Sequence, residues 1–211
     1  MNEAIALFPL QIVVFPDEQL NLHIFEPRYK QLIRDCVTKG IHFGINAFMN
    51  QQLQPIGTEV KLVAIEKEYE NGELDIRTRA VGAYRLEDYF PLMPGKLYAG
   101  GTIKRLSYDA AGQPHLVRQL LDLAEELFGL YEVSKPLPEE DSAFLSYQLA
   151  HYLGLNLDQE YQLLCMEEED DRLQYLIYHI QGLLPPARDM KKMKDRIRLN
   201  GHFKHLVPPG V

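Results

Sequence analysis

Residues 57–86 read GTEVKLVAIEKEYENGELDIRTRAVGAYRL, and this stretch decides the fold. Val60, Leu62 and Ala64 recur at every second position, the period of a strand with one buried face. Beyond the break, Leu74, Ile76, Thr78 and Ala80 repeat that period, with Asp75, Arg77 and Arg79 turned the other way. Between the two runs, Asn71-Gly72 supplies the two positive φ angles of a type I′ turn, whose twist matches the strands it joins. The stretch therefore predicts a long antiparallel hairpin. Glu66 and Glu68 fall across from the arginines, where opposite charges give modest cross-strand support.

The same period appears on either side. Leu20, Leu22 and Ile24 alternate with Asn21, His23 and Phe25, and Phe43, Ile45 and Ala47 form a further run. The apolar opening, MNEAIALFPLQIVVFP, lacks a basic leader, carries Glu3 and is interrupted by Pro9, so it reads as a buried strand and not as a signal segment. After the hairpin, LYAGGTIKRL predicts another strand, with a bulge or barrel corner at Gly100-Gly101. One helix interrupts the strands. Pro27 suits a first helical position, Tyr29, Leu32, Ile33 and Cys36 make an i, i+3, i+4, i+7 stripe, and Gly40 is placed to end it. Short strands with one inserted helix predict a compact, partly closed β-barrel.

Composition changes near residue 106, and helical periods dominate from there. Leu116, Leu120, Leu123, Leu127 and Leu130 mark one stripe; SKPLPEED breaks it; and a second helix is expected from Phe144 through Leu153 to Gly154. Asp158 is the expected N-cap of a short helix through Tyr161 and Leu164. EEEDDRLQYLIYHIQGLLPP predicts the next, its acidic run a solvated start that suits the helix dipole and Pro185-Pro186 its stop. The expected organisation is a β-barrel subdomain over 1–106 and a helical subdomain over 107–211, packed directly on each other.

Bulk composition narrows the function. The 211 residues are 46% apolar and 25% charged, ordinary globular usage, and a chain of this length buries roughly 70% of its unfolded surface. A formal charge of −8 argues against a surface built to track phosphates. Cys36 and Cys165 form no CxxC or Cys/His cluster, so neither a disulfide scaffold nor a zinc site is expected. With no run of apolar residues long enough to span a bilayer, the expected location is the cytoplasm.

The segments LFPLQIVVFP and LNLHIFEPRYKQLIRDC, the hairpin above, and LSYQLAHYLGLNLDQEYQLLCMEEEDDRLQYLI together resemble the N-terminal substrate-binding domain of the ATP-dependent protease Lon. The resemblance touches nearly the whole chain, and IFEPRY after an FP-containing strand is its most specific part. It implies an α+β fold, a PUA-like barrel followed by a C-terminal α-helical bundle, and a role in engaging protein substrates. The sequence has no GxxxxGK[ST] loop to cradle nucleotide phosphates, so a free-standing, non-enzymatic relative is expected. Its partner would be unfolded or extended polypeptide, or a protease or chaperone component, with no cofactor.

Candidate site residues follow from residue type and place. Glu26, Arg28 and Tyr29 form a polar cluster in which Arg28 offers a planar fork to a carboxylate or carbonyl. Phe15, Pro16, Phe48, Met49, Phe90 and Met93, with Tyr89 and Leu92, gather near expected strand ends and connectors, where apolar side chains mark either a partner surface or the seam between the halves. None of Ser107, Ser134, Ser142 and Ser146 lies in a GxSxG elbow, and His23 and His42 give no triad spacing. His202 and His205 sit three apart without a metal motif around them. The C-terminal stretch is basic: Arg188, Lys191, Lys192, Lys194, Arg196, Arg198 and Lys204 oppose only Asp189 and Asp195, a local +5 that leaves −13 for the rest. Its stripe of Ala187, Met190, Met193 and Ile197 is expected to dock on the acidic body, with Asn200-Gly201 as C-cap. RNA binding through this tail is the alternative function.

Overall fold

The computed structural model describes residues 3–202. Six strands and one helix come first: β1 (Glu3–Leu7), β2 (Gln19–Ile24), α1 (Pro27–Lys39), β3 (Phe43–Met49), β4 (Gln52–Glu68), β5 (Leu74–Phe90) and β6 (Gly100–Arg105). Four helices follow: α2 (Pro114–Tyr131), α3 (Leu145–Ala150), α4 (Leu157–Leu164) and α5 (Glu169–His202). Hydrogen-bonded neighbours run β2-β5-β4-β3-β1-β6, and β6 returns to β5. Five strands thus close a ring, and β2 lies outside it on the first half of β5. This is the α+β architecture that the resemblance implies, strands first and helices after.

The ring core is built as the periodicity requires. Leu74, Ile76, Thr78 and Ala80 are all buried, and so is the α1 stripe of Tyr29, Leu32, Ile33 and Cys36. Gly40 ends α1 in the left-handed region, its N–H donating to the Cys36 carbonyl. At the other side of the ring, the buried Tyr84 donates its hydroxyl to Asn46. Its ring lies across Gly44, where any Cβ would fall 2.0 Å from the phenolic oxygen.

The hairpin turn differs from expectation. Asn71 does not take a positive φ; only Gly72 does, at 74°. Tyr69 pairs with Glu73 and accepts from the Gly72 N–H, so the loop is a three-residue turn closed by a left-handed glycine. A two-residue turn with both central residues left-handed occurs instead between β3 and β4, at Asn50 (φ 53°) and Gln51 (φ 61°). Of the arginines across the hairpin, Arg77 reaches Glu66 at 3.0 Å, whereas Arg79 is taken by Asp17. The irregularity expected at Gly100-Gly101 falls on the facing strand, between Leu86 and Asp88.

The helical half departs further. Phe144 is left-handed and precedes α3, which ends at Ala150. α4 is capped by Asn156, not Asp158, because Asn156 and Gln159 satisfy each other's backbone N–H groups at 2.9 Å. The acidic run at the start of α5 is only partly solvated. Glu169 is buried beside Arg172, and Asp170 accepts from the Gln113 backbone N–H at 2.7 Å at the start of α2. Arg172, fully buried, donates to Glu169 Oε2 (2.8 Å) and to the carbonyls of Met166 (2.6 Å), Glu167 (2.9 Å) and Asp109, and lies 4.6 Å from the Tyr147 ring centroid. A buried charge needs such complete satisfaction.

Nor do Pro185 and Pro186 stop α5, which runs through them to His202. Each removes an intrahelical hydrogen bond, but Leu184 and Ala187 remain buried in the core shared with α2, and tertiary packing overrides the local penalty. The helix continues past Asn200-Gly201, and the expected C-cap does not form there. His205 lies outside the described residues. The two halves meet directly: Val13, Phe15, Ala47, Ile56 and Ala83 share a core with Leu120, Leu149, Leu164 and Leu176. The Ile56 N–H donates to the Tyr161 hydroxyl across this seam at 3.0 Å.

Candidate functional site

Beside the start of α1, the segment after β1 runs along the end of β3. Leu10 bridges to Ala47, its N–H donating to the Asn46 carbonyl (3.2 Å) and its carbonyl accepting from Phe48 (2.6 Å). This leaves a groove of about 500 Å³ lined by Pro9, Leu10, Arg28, Tyr29, Phe48, Leu53 and Tyr89. Phe48 and Tyr89 stay 39% and 49% exposed. Phe48 and Leu53 are paired across the two strands joined by the left-handed Asn50-Gln51 turn. Non-glycine residues in that region cost of order 1 kcal/mol or more each, strain that tends to gather at functional sites.

The polar cluster sits at the groove rim. Glu26 places no side-chain cap on α1. Instead its carboxylate receives Arg28 Nε at 2.9 Å and Nη2 at 2.8 Å. The Arg28 guanidinium lies 4.6 Å from the Tyr29 ring centroid, and that ring stacks on Phe8. Burial raises the Tyr29 phenol above its ordinary pKa, so it stays a neutral hydroxyl. The rim is thus a cation held over an aromatic ring.

The other candidates lie elsewhere. Phe15 is buried at the seam, stacked on Tyr147 at 4.6 Å. With Pro16 it lines a separate crevice of about 580 Å³ that also takes in Phe144, His151 and Tyr152. Met49 borders a smaller hollow on the other side of Phe48, against Leu157. Phe90 pairs with Gly100 at the end of the ring, and the half-buried Met93 packs over Gly100 and the ring core. Of the nine residues, the groove therefore unites Arg28, Tyr29 and Phe48, with Glu26 orienting Arg28. Sequence reasoning missed Pro9, Leu10 and Leu53; they sit beside Phe8 and the β3–β4 turn in sequence, but only the Leu10–Ala47 bridge brings them together.

His23, His42 and Ser146 are each held by neighbouring carboxylates. His23 Nδ1 is 2.7 Å from Asp75 and its Nε2 3.2 Å from Glu73. His42 Nδ1 lies 2.7 Å from Glu59, which Arg105 also holds at 2.8 Å. Burial alone would raise the Glu59 carboxyl pKa, but the hydrogen bonds from Arg105 and His42 outweigh it and lower the value. Ser146 is buried and donates to Glu169 at 2.7 Å. Among the described residues no His, Cys, Asp or Glu cluster fit for a metal ion occurs, and no helix is long and apolar enough to cross a membrane.

With fold and groove in place, comparison with known proteins defines the class. The model of the ATP-dependent protease La (Lon) substrate-binding domain matches residues 4–182, and the chain belongs to that family. Its structure is similar to a Lon N-terminal domain protein from Xanthomonas campestris (TM-score 0.65, 26% identity, covering 83% of this chain and 98% of that one). The N-terminal domain of the Mycobacterium avium complex Lon protease shares the fold at a TM-score of 0.62 with 10% identity, over 85% of this chain and 98% of that one. No curated protein sequence matches it. The chain is a substrate-recognition module of the Lon type.

Proposed function

We propose that the protein is a non-catalytic binding module that captures exposed apolar or extended polypeptide segments in the groove between Arg28 and Tyr89. The carrying observation is that Phe48 and Tyr89 remain 39% and 49% exposed beside Leu10 and Leu53 around one concave surface. A partner's apolar side chains gain by leaving water there, and aromatic walls offer broad contact at low entropic cost. Arg28, steadied by Glu26, directs its remaining N–H groups to backbone carbonyls or a carboxylate of the bound segment.

The test is fluorescence anisotropy of a labelled, permanently unfolded polypeptide titrated with the protein at low and high salt, with single-stranded RNA alongside. The expected result is saturable polypeptide binding that tolerates salt and weakens on Phe48→Asp. RNA binding that collapses with salt and is lost on truncation before Arg188, with no polypeptide binding, would replace this reading with the tail-based one.

A further inference from the structure

Helix α5 changes character at Ala187. Up to that point its stripe of Leu173, Leu176, Ile177, Ile180, Leu184 and Ala187 is buried. One more turn is tied to α2, where Arg188 forks onto Glu126 at 2.6 and 2.8 Å and Lys191 donates to the Gly129 carbonyl at 3.3 Å. The apolar stripe of this turn and the next does not dock on the acidic body as expected: Met190, Met193 and Ile197 are 48%, 65% and 65% exposed. This length of helix also lies past residue 182, where the family match ends.

The exposed residues have a pattern. Met190, Met193 and Ile197 are three and four positions apart and so form one narrow seam, the a/d spacing of a two-helix contact. Lys194 and Arg196 flank that seam at the positions that choose a partner by charge. Between Arg188 and Ile197 five basic residues oppose Asp189 and Asp195, and Arg188 is the one engaged by Glu126. A membrane-surface helix carries a broad apolar face with Trp, Phe or Leu, and this segment has none of these. A phosphate backbone would engage the lysines but leave the apolar seam in water. A second copy would set two net-positive segments against each other, which like charge opposes.

We propose that Met190–Ile197 of α5 docks an acidic amphipathic helix of a partner protein, with apolar side chains in the seam and carboxylates beside Lys194 and Arg196. The full-length protein is titrated into a labelled helical peptide of a few heptads with Leu at the seam and Glu on the flanks, and into its twin with Lys on the flanks. The Glu peptide is expected to bind about tenfold or more tightly than its twin, and less so as salt rises. Met193→Glu with Ile197→Glu abolishes this binding at unchanged melting temperature, Lys194→Glu with Arg196→Glu reverses the preference, and Phe48→Asp leaves it untouched. Equal affinity for the two peptides, or binding that survives the seam variant, overturns the proposal. So does engagement of anionic vesicles, RNA or a second copy through these residues in place of the Glu peptide.

Discussion

The two halves of the molecule invert the usual placement of charge and apolar surface in opposite directions. The helical half hides a full ion pair, Glu169 with Arg172, at 1% and 0% exposure, while the ring leaves Phe48 and Tyr89 in contact with water. The buried pair has every partner it needs: two contacts from Ser146 to Glu169 and three backbone carbonyls on Arg172. It joins the loop before α2, the start of α3 and the start of α5, so its consequence is structural. Among the described residues the aromatic side chains have no such partners on their exposed faces, and their consequence lies in what they can bind. A buried charge with complete partners marks a joint, and exposed aromatics around a hollow mark a surface for something else.

The largest expected effect breaks the joint. Arg172→Ala leaves Glu169 buried without its cation and should cost about 3–5 kcal/mol in denaturant unfolding. Arg172→Met combined with Glu169→Leu should recover only part of it, because the carbonyls of Met166, Glu167 and Asp109 and the Ser146 N–H lose their partners. On the groove side, Phe48→Asp and Tyr89→Asp should each change stability by no more than about 0.5 kcal/mol while weakening polypeptide binding by roughly 2 kcal/mol. A melting temperature that falls with binding would make the groove a second joint.

A smaller effect sharpens the comparison at the seam. His151 lies between Glu160 (2.7 Å) and Glu18 (3.2 Å), linking the helices to the segment before β2. Burial would lower its pKa, but hydrogen bonds to the two carboxylates outweigh it and raise the value to about 10. A raised folded pKa means stabilisation fully present below pH about 6.5 and lost as pH climbs through 10. The deficit of His151→Gln, on the order of 1 kcal/mol, should therefore be largest near pH 6 and shrink above pH 10 in parallel urea titrations. The smallest expected change is Gln51→Gly, which relieves a left-handed position and should stabilise by about 0.5 kcal/mol, read as a slight rise in melting temperature.

What could be read from residues alone follows the same divide. The ring and α1 were legible because their signals are local: period-2 burial at Leu74–Ala80, and the Pro27 start and Gly40 end of α1. The turn type at Asn71-Gly72 was not, since loop length is set by which residues of β4 and β5 pair. In the helical half, Pro185-Pro186 reads as a stop until the packing of Leu184 and Ala187 is known, and an acidic run reads as solvated until Arg172 arrives from the next turn. Arg28, Tyr29 and Phe48 were legible as candidates. That they share a groove with Leu10 and Leu53 was not, because the pairing of residues 9–11 alongside the end of β3 is purely tertiary.

The most direct measurement compares two exposed aromatics. Tyr178 on α5 is 81% exposed and lines a separate hollow with Tyr175 and Leu183, so it controls for an exposed aromatic at a concavity outside the groove. A photoreactive side chain placed at Tyr89 or at Tyr178 is irradiated with a labelled unfolded polypeptide. Strong crosslinking is expected at 89, suppressed by Phe48→Asp, and little at 178. Equal crosslinking at both positions, or more at 178, would contradict binding in the groove.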